Sequence, residues 1–120
     1  MEKTKCSATY SPDGRYIVTV SDNGTITIWD AKTFVKLGTI EGHSPQYSPD
    51  GRLIATISSN NSVHLWDANT FKLIGTLYEN KSAVNSVQFS PDGEYILTTS
   101  DDGLTTIWDS NTFMKLAGLS

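Results

Sequence analysis

Cysteine is nearly absent from the chain. Cys6 is the single one among 120 residues, which excludes an internal disulfide framework. Histidine is scarce too. His43 and His64 stand far apart, and a metal site needs three or four converging ligands. Basic clusters are missing: nine Lys and Arg against thirteen Asp and Glu leave a net charge of -4. An acidic chain without a basic patch is a poor holder of a phosphate backbone, so no nucleic acid is expected as a partner. No apolar run reaches membrane-spanning length, so no membrane partner is expected either. The opening "MEKTKCSATY" lacks the apolar centre of a signal peptide. A cytoplasmic location follows as the expectation, with the nucleus as the other option. On that footing the sequons at Asn23, Asn60 and Asn80 read as polar turns rather than glycan sites. Glycines are spread one or two to a turn with no phosphate-cradling loop, and no cofactor is expected.

What the chain does have is repetition. "SPDG" begins at Ser11, Ser48 and Ser90, and "WD" at Trp29, Trp66 and Trp108. Ser and Trp are 18 positions apart in every copy, and a Thr-Phe pair follows at Phe34, Phe71 and Phe113. The first two copies start 37 residues apart and the last two 42 apart. Ser-Pro-Asp-Gly suits a type I turn, because Pro presets φ and Gly closes the turn. It leads into β-rich runs: "RYIVTVS", "RLIATIS" and "EYILTTS". The tetrapeptides "SDNG", "SSNN" and "SDDG" then supply the residues that tight hairpins favour. "TITIWD", "SVHLWD" and "LTTIWD" follow, and then a fourth run of the type "VKLGTI". No segment has a helical period. Short strands turned this regularly predict antiparallel all-β structure. Apolar residues fall on both faces, as they do in strands covered by layers on two sides.

"FSPDGEYILTTSDDGLTTIWD" closely resembles the WD-repeat β-propeller family, and the resemblance extends over nearly the whole chain. It is carried by three WD pairs in register, the SPDG turn, a period near 40 residues and a "GH" at Gly42-His43. The resemblance implies a partial β-propeller of three four-stranded antiparallel blades, at about residues 5–40, 45–77 and 83–119. It also implies a buried, hydrogen-bonded set of His, Asp, Ser or Thr, and Trp, as many family members have in a blade. The Trp positions are Trp29, Trp66 and Trp108, and the Ser positions Ser21, Ser58 and Ser100. The Asp position holds Asn23, Asn60 and Asp102, and the His position is met only by His43. No blade has all four. The family's usual Thr-Gly after the WD turn is Thr-Phe in every copy.

Propellers close with four to eight blades, so three leave apolar end faces open. Pairing of two chains into a six-bladed ring, membership of a longer propeller and docking onto a larger partner all answer this. Two-fold pairing is favoured, because dimers dominate soluble homo-oligomers. Catalysis is not expected. Asp13, Asp50 and Asp92 recur, as do Asp30, Asp67 and Asp109, and recurrence at turns marks a repeat rather than an acid–base pair in two environments. The resembled family points instead to a scaffold or recognition module for proteins or peptides. Its wide face would carry Asp22, Ser59 and Asp101, two of them acidic, which suits a basic peptide. A self-assembling structural unit, natural or engineered, with no partner but itself is the other reading.

The repeat rule has one conflict. From Ile40 to Tyr47 there are seven steps, and between their counterparts Leu77 and Phe89 twelve. Seven residues span at most roughly 23–25 Å. Crossing three strand spacings takes roughly 14 Å, and running the length of a strand roughly 17–20 Å. A taut link with almost no residues left to pair is predicted. Blade two should therefore have a shortened innermost strand or only three strands, and Pro45, with no amide donor, fits a turn better than a ladder.

Overall fold

The computed structural model describes residues 7–58, 62–78 and 82–119. Cys6, Ser59, Asn60, Asn80 and the start assigned to blade one at residue 5 lie outside the described residues. The described chain forms three antiparallel sheets and no helix. Blade one comprises β1 (Ser7–Tyr10), β2 (Tyr16–Val20), β3 (Thr25–Asp30) and β4 (Lys36–Glu41). Blade two comprises β5 (His43–Tyr47), β6 (Leu53–Ile57), β7 (Ser62–Asp67) and β8 (Leu73–Tyr78). Blade three comprises β9 (Val84–Phe89), β10 (Tyr95–Ser100), β11 (Thr105–Asp109) and β12 (Lys115–Leu119). Within each blade the strands lie in sequence order.

The turns that shape the blades are built from their own side chains. Ser11 Oγ donates to Asp13 Oδ1 at 2.8 Å and accepts from the Tyr16 amide at 3.1 Å, while the Arg15 amide donates to the same carboxylate at 3.0 Å. The pattern repeats at Ser48–Asp50 and Ser90–Asp92. After the Trp, Asp30 Oδ1 accepts the amides of Lys32 and Thr33, each at 2.8 Å, and Asp67 and Asp109 do likewise. Each such bond ties a polar group that a turn would otherwise leave to water.

The core lies between the sheets. One cluster joins blades one and two through Val18, Ile26, Ile28, Ile40, Ile54 and Ala68. A second joins blades two and three through Ile57, Val63, Leu65, Leu77, Val84, Val87, Ile96 and Trp108, with Ala55. Ile54 belongs to the first cluster and Ala55 and Ile57 to the second, so neighbouring residues of β6 serve opposite faces. This is why β6 carries no polar alternation. Each fully buried aliphatic side chain contributes about 1.5–3 kcal/mol.

Blade two has all four strands, which overturns the three-stranded alternative. Its innermost strand is five residues long against six for β9, and its ladder is broken. His43 lies opposite Ile57, but the next partners are Gln46↔Ala55 and Tyr47↔Ile54, with Ser44 at φ 53°. The extra residue at Ser44-Pro45 is a bulge, the usual setting for a proline inside a strand. The conflict over reach dissolves because the crossing takes one residue. The Gly42 amide still donates to Gly24 O in blade one at 2.9 Å. Thr56 of blade two already donates through Oγ1 to Glu41 O at 2.9 Å. A Cβ on Gly42 would stand 2.8 Å from Thr56, so glycine is what lets the end of β4 touch β6. The expected path assumed blades held a full sheet width apart at this point.

Candidate functional site

The short joint has a consequence at the centre of the array. β9 packs across β5, β6 and β7, whereas β5 approaches β3 of blade one. All four residues of β1 are left exposed. Between blades one and two a cleft of about 1020 Å³ opens. Its walls are the β2–β3 turn with Asp22 and Asn23, the joint with Glu41, Gly42, His43 and Ser44, and Ile57, Ser58 and His64 of blade two. A smaller hollow of about 490 Å³ lies between β1 and β5. Among the described residues two carboxylates line the cleft and no lysine or arginine does. It offers acceptors and negative charge within a volume suited to a bound ligand or peptide segment.

The sequence-predicted positions are only partly brought together. Asp22 lines the cleft. Asp101 stands in blade three at the β10–β11 turn, where its carboxylate accepts from Asn85 Nδ2 at 3.0 Å. Ser59 lies outside the described residues. Thus Asp101 does not share a wall with Asp22. His43 lines the cleft and meets Ser44 Oγ through Nδ1 at 3.1 Å. It sits at the exposed start of β5, not beside a tryptophan. The ring of His64 meets Trp66 edge-on, with centroids 6.0 Å apart.

The tryptophan bonds correct the set expected from the resemblance. Each indole N–H donates to a threonine of the neighbouring strand: Trp29 to Thr19 at 3.0 Å, Trp66 to Thr56 at 2.9 Å and Trp108 to Thr98 at 3.0 Å. Ser21 and Ser100 bond instead to Asn23 and Asp102 two residues on, and Ser58 to Ser62. The reason is distance. Thr19 stands two places along β2 from Ile17, the residue opposite Trp29, and so on the same face, whereas Ser21 stands four places along, at the hairpin end. In blade three the Asp102 amide also meets Ser82 Oγ at 3.1 Å. The signal was present: a Thr stands ten residues before every Trp.

The recurrent carboxylates are engaged within their own turns. Asp50 and Asp92 are held below the ordinary value of 3.8, first by their Ser hydroxyls and then by backbone amides. The same direction holds at Asp13, Asp30, Asp67, Asp102 and Asp109. Carboxylates already saturated by hydrogen bonds in like environments are ill suited to proton transfer. Tyr47 goes the other way. Burial, then the charges of Tyr16 and Asp13, push its hydroxyl up to about 12. Its O–H is buried with no hydrogen-bond partner among the described residues.

Twisted four-stranded sheets of this order, stacked face to face with a Trp–Thr bond in each, define a β-propeller array. The profile of the WD40 family, described as "WD domain, G-beta repeat", matches residues 3–30, 34–67 and 71–109, and the chain belongs to that family. No curated protein matches the sequence. Among solved structures, the WD40 repeats of RRP9 superpose with a TM-score of 0.86 at 20% identity, over 99% of this chain and 39% of that one. U3-55K gives 0.86 at 19% identity, over 99% and 40%. A chain of a mitotic checkpoint complex gives 0.81 at 24% identity, over 99% and 38%. At these identities the likeness is one of fold. The chain spans about two fifths of the length of each.

Proposed function

We propose that the chain is a non-catalytic protein-interaction module that takes a basic peptide segment into the cleft between blades one and two. WD40 repeats imply a scaffold for protein interaction, and one structural relative is itself part of a complex. The observation that carries the reading is the cleft wall, which among the described residues has Asp22 and Glu41 and no lysine or arginine. An extended Lys- or Arg-bearing segment matches its charge and shape. Cytoplasm or nucleus, both rich in such segments, is the proposed location. The array works as part of a ring whose remaining blades come either from a second copy or from blades of other sequence. The unpartnered end faces support that reading over a unit complete in itself.

Fluorescence anisotropy with a labelled Lys/Arg-rich peptide tests the cleft. The affinity should fall with salt, and Asp22→Asn and Glu41→Gln should each weaken binding by about three- to tenfold. Equal binding of an acidic peptide, or variants indistinguishable from the parent chain, would sink the proposal.

A further inference from the structure

We infer that the open face of blade three is cut to receive a propeller blade with a small residue, glycine, where this chain's own blades carry phenylalanine, and that it rejects a second copy of this chain. The inference rests on reading the array as an incomplete ring. Its template is internal, because the chain contains two blade–blade seams built alike at the rim. The Phe71 ring of blade two lies over Gly38 of blade one, and a Cβ on Gly38 would stand 2.5 Å from Phe71 Cδ2. The Phe113 ring of blade three lies over Gly75 of blade two, again with 2.5 Å to a Cβ placed there. A phenylalanine knob thus fills a socket that exists only because the facing strand has no side chain at that point.

Register identifies the next socket. Gly38 lies opposite Ile28, Gly75 opposite Leu65, and Ala117 opposite Ile107. The blade-three socket therefore holds a methyl group where the ring of an incoming knob would lie. At the other end of the array, the unused knob is Phe34, 70% exposed. A ring closed by a second copy would seat Phe34 on Ala117, and the methyl forbids that approach without spreading the blades. Both ends nonetheless need cover. Leu119 is 54% exposed, whereas its counterparts Ile40 and Leu77 are 2% and 1% exposed. The fitting occupant has glycine at the knob. Phe34, Phe71 and Phe113 sit at φ 62–63°, where an L side chain is strained and glycine is not. A glycine there leaves room for the Ala117 methyl. On this inference the two-fold pairing favoured from the sequence gives way to a ring completed by blades of other sequence.

Light scattering and sedimentation of the whole chain test it, using Phe34→Gly, Ala117→Gly and, as control, Gly118→Ala, whose methyl would have 3.6 Å to Leu104. The parent chain and the control should run at the 13.1 kDa chain mass. Phe34→Gly and Ala117→Gly should each strengthen self-association at least tenfold towards twice that mass. Ordinary hydrophobic association predicts the opposite for Phe34→Gly, since the change removes the most exposed aromatic ring. A parent chain that is already a dimer, or association that fails to rise in either variant, overturns the inference. Anisotropy on the same samples reads the cleft separately, so failure of the socket and failure of the scaffold reading give different results.

Discussion

The two seams of the array share a rim and differ at the hub. At the rim, Phe71 on Gly38 and Phe113 on Gly75 make the same contact. At the hub, Val84 and Val87 of β9 are buried against blade two, while β1 is bare and a cleft separates it from blade two. The link accounts for the difference. One residue, Gly42, joins β4 to β5, whereas five residue positions separate Tyr78 from Val84. Knob and socket set how blades stack, and the length of the link sets whether the inner strands meet. The cleft here is the by-product of a shorter repeat.

The comparison can be broken first at the rim. Phe71→Ala and Phe113→Ala should each cost about 2–4 kcal/mol in urea unfolding, towards the lower part of the range for aromatic truncation because both rings are partly buried. Phe34→Ala, on the open face, should change stability by no more than about 0.5 kcal/mol. Unequal losses at Phe71 and Phe113 would show that the seams differ at the rim as well.

Lengthening the joint sharpens the hub side. Five residues inserted between Gly42 and His43 should let β5 move over β1 and close the cleft. Stability should rise by about 1 kcal/mol, as apolar burial outweighs a loop-closure cost of roughly 0.6 kcal/mol. The direct readout is amide exchange at residues 7–10, which should slow. Unchanged exchange there would mean that link length is not the cause.

Tyr47 marks the same seam more finely. Its counterpart in blade three is Phe89, which needs no hydrogen bond. Tyr47→Phe removes an unpartnered buried hydroxyl and should stabilise the chain by about 1 kcal/mol, read as a higher urea midpoint. A loss of stability would reveal a partner for that hydroxyl.

Acid should touch both seams alike, through the turns. The seven lowered aspartates favour the folded state above their unfolded value near 3.8. That contribution is lost as pH falls through the lower folded values. Thermal midpoints should therefore hold steady above about pH 5 and drop below pH 4, by less in Asp13→Asn than in the parent chain. A pH-independent midpoint down to pH 2 would contradict the role given to these turns.

Much of this fold was legible because its strands are punctuated. Ser-Pro-Asp-Gly and Trp-Asp locate eleven of the twelve strands through local rules of turn chemistry and alternation. β5 is shortened as the repeat length predicts, yet it is a full member of its sheet, because the chain crosses between sheets at Gly42. The Thr partners of the tryptophans share a face with the serines and lie nearer the indoles, a difference that strand register shows and the resemblance alone does not. The cleft was illegible in principle: Asp22 and Glu41 become neighbours of one space only after two blades have stacked. The socket lay in plain view as Phe followed four residues later by Gly, Gly and Ala. It acquired meaning once the ring was seen lying on the bare strand.

Gly42 also bears on how the molecule folds. Its amide completes the hairpin of blade one while the carbonyl beside it completes a bond from blade two. No slack separates the two sheets, so neither finishes its ladder without the other in place. β1 to β8 should open and close as one cooperative unit in hydrogen exchange, with β9 to β12 as a second. A chain of three look-alike repeats is thus expected to exchange as two pieces, with the boundary where the link is long.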